Sequence, residues 1–189
     1  HQLMLLHGAQ GKGKSTFVRH LLPPELKDYY RNGMISPDNK DHLLQMSSCL
    51  LINLDEFDTL SPARMQELKS LITQDVMNER KVYDIQNYTF IRRASFIAST
   101  NNPHCLPDIG ENRRILFNTL LEIDYHTPVN HQGIYAQAYA LYQQGFQYWY
   151  ENQEITFLNN RNEAFRQKDP LEENLFFYFR AARPNDIQA

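Results

Sequence analysis

The sequence predicts an α/β fold, a three-layer α/β/α sandwich on a mostly parallel sheet with a helical C-terminal extension. Three observations predict it. The glycine-rich run Gly8 to Ser15 directly follows the apolar stretch Leu3-Met4-Leu5-Leu6. A second short apolar run, Cys49 to Leu54, ends in the carboxylates Asp55-Glu56, and a third, Ala94 to Ser99, ends in Thr100-Asn101-Asn102-Pro103. Each reads as a buried strand with polar chemistry at its carboxyl end, where ligands bind in open α/β sheets.

The first element, Gly8-Ala9-Gln10-Gly11-Lys12-Gly13-Lys14-Ser15-Thr16, fits G-x-x-x-x-G-K-[ST] between a strand and a helix, the setting of a P-loop NTPase. A triphosphate needs a concave nest of backbone N–H groups, and glycines let the main chain curl around the anion. Lys14 would then reach the β- and γ-phosphates, and the Ser15 hydroxyl would complete the shell of a Mg²⁺ ion bridging them. ATP and Mg²⁺ are therefore the expected cofactors. The following helix should run from Thr16 to Leu22 and stop at Pro23-Pro24, since proline cannot donate into a helix interior.

The second element fits a Walker B strand. Asp55 would hold Mg²⁺ and Glu56 would polarise the attacking water as general base, while Asp58 reads as a turn or surface residue. A helix follows from Ser61-Pro62, with Met65, Leu68, Ile72 and Val76 on its core face. At the end of the third strand an amide could touch the γ-phosphate or order the water. Asn101 suits that sensor position, whereas Asn102 before Pro103 reads as turn chemistry.

Two basic segments add candidates. Arg80-Lys81 and Arg92-Arg93 bracket Tyr83, Tyr88 and Phe90, a mixture able to follow a strand's phosphates and stack its bases. Taken alone, this segment reads rather as a solvated hairpin. Arg113 and Arg114 lead into the apolar strand Ile115-Leu116-Phe117; an arginine there can deliver charge to a transferring phosphoryl group of a neighbouring subunit. Alone, the pair reads as surface arginines in ion pairs.

Composition bounds the partners. The 189 residues are enough for one domain, and 42% hydrophobic content supports a packed core. A net charge of −3 advertises no broad basic face, so any nucleic-acid contact must be local. No run approaches the roughly 20 apolar residues of a membrane span, and the start resembles no signal peptide, so a cytoplasmic location is expected. Cys49 and Cys105 lack metal or disulfide spacing and are expected to pack in the core. The chain opens on a strand without an initiator Met, which points to a piece of a longer protein.

The order of these motifs, from Gly8-to-Ser15 through Asp55-Glu56, Arg80-to-Arg93 and Ser99-to-Asn102 to Gly110-Glu111-Asn112-Arg113-Arg114, resembles the virulence-associated E family of predicted P-loop ATPases. The Asn39-Lys40-Asp41 to Leu44 stretch resembles that family too. It is similar to superfamily 3 helicases and hence to the AAA+ class, occurs in prophages, plasmids and genomic islands, and is often joined to a primase domain. Where family members usually carry an aromatic-rich strand after the arginines, this chain has Ile115-Leu116-Phe117-Asn118. The resemblance implies a helicase-like DNA motor of mobile-element replication acting on single-stranded or duplex DNA. It further implies a homo-oligomeric ring, a hexamer as in superfamily 3, with either Arg113 or Arg114 as the finger and Arg80 to Arg93 facing the pore.

The boundary between an ATPase core (1–126) and a helical subdomain (127–189) follows a change of pattern. Ile134, Ala138, Leu141 and Trp149 recur at helical spacing, and Asp169-Pro170-Leu171-Glu172 forms a helix start before Leu175, Phe176 and Phe179. Its aromatics are expected in a core beside the sheet, or at a subunit contact. Two other functions use the same phosphate loop: a small-molecule kinase and a nucleotide-dependent binding switch. The Asp55-Glu56 pair argues against the kinase, which would exclude an activated water rather than prepare one.

Overall fold

The computed structural model describes residues 2–36, 39–80, 87–106 and 112–167, together with 171 and 177–179. Five strands form a parallel sheet: β1 (Leu3–His7), β2 (Tyr30–Asn32), β3 (Leu51–Leu54), β6 (Ser95–Thr100) and β7 (Ile115–Thr119), in the order β2-β3-β6-β1-β7. Between β3 and β6 an antiparallel pair, β4 (Val76–Arg80) and β5 (Asn87–Ile91), stands apart as a separate two-stranded sheet. The helices are α1 (Lys14–His20), α2 (Lys40–Ser48), α3 (Pro62–Thr73), α4 (His131–Gln143) and α5 (Asn152–Asn162).

Burial on both faces explains the apolar strand sequences. On one face Leu3, Leu5, Ile52, Leu54, Phe96 and Ala98 pack with Leu43 and Met46 of α2 and Met65, Leu68 and Ile72 of α3. On the other, Leu6, Leu51 and Ile97 meet Val18 of α1. Helices thus cover both faces, and both cysteines lie buried and unpaired in the core as expected. Helix α1 ends before Pro23, and Asn39 caps α2 by accepting the Asp41 amide at 3.0 Å. Ser61 caps α3 with Pro62 in the first turn.

Three expectations about packing need correction. Val76 starts β4 and is exposed instead of closing the α3 core face. Helix α4 buries none of its residues, so Ile134, Ala138 and Leu141 are not core. Trp149 lies beyond α4, past the left-handed Gly145, and is exposed as well. What attaches α4 is polar: His131 Nε2 lies 2.7 Å from the His20 carbonyl, and the Tyr135 hydroxyl donates to the Leu21 carbonyl at 3.3 Å. Helix α5 instead closes the free edge of β7, because Asn162 donates to the Asn112 and Ile115 carbonyls and Arg161 to that of Phe117. The predicted helix start at Asp169-Pro170 and the residues Leu175 and Phe176 lie outside the described residues.

Candidate functional site

The carboxyl ends of β1, β3 and β6 are adjacent because β6 pairs with both of the others in parallel register. The segments that follow them enclose a cavity of about 580 Å³, lined by Gln10 to Thr16, Asp55, Glu56, Asp58, Thr59, Ser99, Thr100, Asn101 and Tyr125. Residues far apart in sequence meet here because the parallel crossovers return every strand end to the same edge.

Lys14 organises the loop after β1. Its ammonium donates to the Gly8 carbonyl at 2.7 Å, the Ala9 carbonyl at 3.0 Å and the Asn101 side-chain oxygen at 2.7 Å. Burial pushes its pKa down, partly offset by the charges of Asp55 and Asp58. Gly11 and Gly13 hold φ of 75° and 78°, the left-handed conformation that turns successive amides inward. At Gly13 a side chain is also excluded by space, since a Cβ would fall 2.1 Å from Cδ1 of Tyr125.

Asp55 sits at the end of β3 between two hydroxyls. Ser15 donates to one carboxylate oxygen at 3.0 Å and Ser99 to the other at 2.5 Å. Burial would raise its pKa, but bonds from Ser99, Ser15, Asn32 and the Glu56 amide outweigh burial and hold the carboxyl below the usual range. Asn32 is itself held by a 2.7 Å bond from Asn53. Glu56 has φ 56°, the left-handed region that non-glycine residues seldom adopt. Such strain persists only where the surroundings hold it, and it clusters at functional sites. The turn fixes it: the Glu56 carbonyl accepts both the amide and the hydroxyl of Thr59.

The next residue of β6 repeats the brace. Thr100 donates to Asp58 at 3.0 Å and caps the turn by accepting the Asn102 amide at 3.0 Å. Asn102 accepts the His104 amide at 2.9 Å, a local turn contact, whereas Asn101 faces Lys14. The donor set suits a small hard cation. A serine hydroxyl and an ionised carboxylate are oxygen ligands, and Mg²⁺ is bound through one or two carboxylates together with substrate phosphates. Among the described residues no group of three His, Cys, Asp or Glu side chains could hold a metal by itself, so such an ion would depend on Ser15, Asp55 and its substrate.

The remaining predicted residues lie elsewhere. Arg113 is exposed and Arg114 half-buried, just ahead of β7. Leu3 is level with Ile115, so both arginines stand at the amino end of the sheet while the cavity is at its carboxyl end. Five strand residues separate the two, about 17 Å. Arg92, expected to contact nucleic acid, is largely engaged within the fold. Its guanidinium donates to the Gln74 carbonyl at 2.7 Å and the Ala94 carbonyl at 2.6 Å, pairs with Asp75 at 3.6 Å and lies over Phe96. With 11% of the side chain exposed, it ties the base of the β4–β5 pair to the core. Arg93 is exposed. Lys81, Tyr83 and the side chain of Arg80 lie outside the described residues, as does the segment Asp108 to Glu111.

The sequence assigns four lining or bracing residues no individual role: Ser99 enters only within the motif Ser99-to-Asn102, and Asp58 reads as a turn or surface residue. Ser99, Asp58 and Asn32 become legible only through pairing of β6 and β2 with β3. Tyr125 follows β7 in a stretch without periodicity.

Fold and cavity together define the class: an α/β protein with a polar cavity at the carboxyl edge of a parallel sheet. The chain belongs to the virulence-associated protein E-like domain family, whose profile matches residues 1–167. No curated protein matches it. Among solved structures, two apo structures of the NrS-1 C-terminal region are similar at TM-scores of 0.45 and 0.47, each with 16% identity over 87% of this chain. This chain spans 34% and 35% of those chains. Among the described residues no helix is long and apolar enough to cross a membrane.

Proposed function

We propose that this domain is a Mg²⁺-dependent P-loop ATPase, the helicase-like motor of a mobile-element DNA replication protein. The observation that carries this reading is the convergence of Lys14, Ser15, Asp55 and Asn101 in one cavity, with Ser15 on Asp55 at 3.0 Å and Lys14 on Asn101 at 2.7 Å. Family membership and the resemblance to superfamily 3 supply the replication context.

In this reading the loop amides bind the phosphates, and Lys14 exchanges its loop carbonyls and Asn101 for phosphate oxygens. Ser15 and Asp55 would hold Mg²⁺, which when bound would neutralise charge on the phosphate oxygens. The depressed pKa of Asp55 keeps it ionised for that task. Glu56 takes the proton of the attacking water and Asn101 senses the γ-phosphate. Ser99 and Thr100 fix Asp55 and Asp58 from the strand that Asn101 directly follows, so the carboxylates and the sensor share one frame.

Arg113 and Arg114 are too far from their own cavity to act there. Either would serve the site of a neighbouring copy, which requires a head-to-tail ring, a hexamer by the superfamily 3 resemblance. The β4–β5 pair, with Arg80, Lys81 and Arg93, would meet DNA, and Arg92 would anchor it. A primase or other flanking domain would complete the longer protein. The test is phosphate release and nucleotide binding by Glu56→Gln. Retained ATP binding with turnover lost by about a hundredfold or more fits general-base chemistry. Undiminished turnover would remove Glu56 from that role, and a phosphorylated small molecule as product would identify a kinase.

A further inference from the structure

We propose that Tyr125 is the nucleobase wall of this cavity, so that the site takes a nucleoside polyphosphate by its base as well as by its phosphates. The inference rests on the reading of Gly8 to Ser15 as a phosphate cradle. Tyr125 is the only aromatic side chain among the described residues lining the cavity; the other lining residues are polar, charged or glycine. Such a lining suits phosphates and a cation. A purine instead needs a planar apolar partner, which here only Tyr125 offers.

Its placement is built rather than draped. A Cβ at Gly13 would fall 2.1, 2.5 and 2.7 Å from Cδ1, Cε1 and Cγ of the ring, which puts it over the ring face and not beside the edge. Asp124 forms the turn that presents the ring, accepting the amides of His126 at 3.1 Å and Thr127 at 3.0 Å and the Thr127 hydroxyl. The segment is pinned at both ends, by Leu120 on the His7 carbonyl at 2.8 Å and by His131 on that of His20 at 2.7 Å. The His126 ring packs against that of Tyr125, tilted 37° with centroids 4.2 Å apart. Tyr125 remains half-buried and lines the cavity. Glycine at 13 therefore has a second purpose besides turning the loop: it lets the ring close on the cradle.

The experiment is calorimetric titration of the whole chain and of Tyr125→Phe, Tyr125→Leu and Tyr125→Ala with ATP and, separately, with inorganic tripolyphosphate. Tyr125→Ala and Tyr125→Leu are expected to weaken ATP about tenfold, the scale of one base–aromatic stack, while tripolyphosphate affinity stays within about twofold. Tyr125→Phe should retain ATP. Intact tripolyphosphate binding also shows that each variant is folded, and Tyr125→Leu keeps bulk against Gly13 if Tyr125→Ala is unstable. Equal losses for both ligands would make Tyr125 a strut of the loop, and unchanged or tighter ATP would make it a plug; either overturns the proposal. If the unaltered chain binds no tripolyphosphate, or binds it equally after Lys14→Ala, the phosphate cradle itself fails, a result distinct from failure at Tyr125.

Discussion

Gly13→Ala separates two costs that the phosphate loop combines. The first is backbone strain: at φ 78° a Cβ costs about 1–2 kcal/mol. Gly11 supplies the control, because its φ is 75° but nothing lies within 4 Å of a Cβ built there. The second cost is steric and specific to Gly13. Ordinary contact begins near 3.4 Å, so from 2.1 Å the Tyr125 ring would have to retreat by about 1.3 Å. The ring is held by the Asp124 turn and cannot slide freely, so overpacking of about 1–3 kcal/mol is added. Gly11→Ala should therefore lose about 1–2 kcal/mol and Gly13→Ala about 2–5 kcal/mol in urea unfolding at constant m-value. The double variant Gly13→Ala/Tyr125→Ala should recover the steric part, a coupling of about 1–3 kcal/mol in a double-mutant cycle. Equal losses at Gly11 and Gly13, with strict additivity against Tyr125→Ala, would refute the contact between ring and loop.

Further outcomes follow from other parts of the molecule. Arg92→Ala should destabilise the domain by about 2 kcal/mol, since it strips charge-assisted bonds from two carbonyls, whereas Arg93→Ala should leave the unfolding midpoint unchanged. Burial and the neighbouring Lys14 charge hold the His7 pKa below its ordinary 6.5. The unfolded chain then binds the proton first, so stability is full above about pH 6.5 and falls as pH drops towards the depressed native value. His7→Phe should flatten that slope in pH-dependent unfolding, leaving the part contributed by His42, whose pKa is lowered as well. Mixing Lys14→Ala with Arg113→Ala/Arg114→Ala in equal amounts should restore about a quarter of the ATPase sites, those pairing an intact Lys14 with a neighbour's arginines. No recovery from two stable, inactive variants would contradict completion of the site by a neighbouring copy.

Much of the fold was legible because its signals are contiguous. Strand, glycine loop and helix lie within Leu3 to His20, and apolar runs ending in Asp55-Glu56 and Thr100-Asn101 mark the carboxyl edge without any knowledge of pairing. The illegible part is long-range. Ser99 and Asn32 meet Asp55 only once β6 and β2 flank β3, and Tyr125 reaches Gly13 across 112 positions by way of β7. Arg92 looked like a surface cation because sequence does not reveal that two carbonyls and Asp75 surround it. Helix α4 misled for a different reason. Its apolar residues recur at helical spacing, but periodicity states that a face is apolar and not that this chain covers it.

The central claim, that the cavity hydrolyses ATP to drive a DNA motor, is tested most directly by phosphate release from ATP and Mg²⁺ with and without single-stranded DNA, comparing the chain with Lys14→Ala. Turnover should rise with DNA and disappear in the variant. Turnover indifferent to DNA would contradict the motor, and turnover surviving Lys14→Ala would contradict the site.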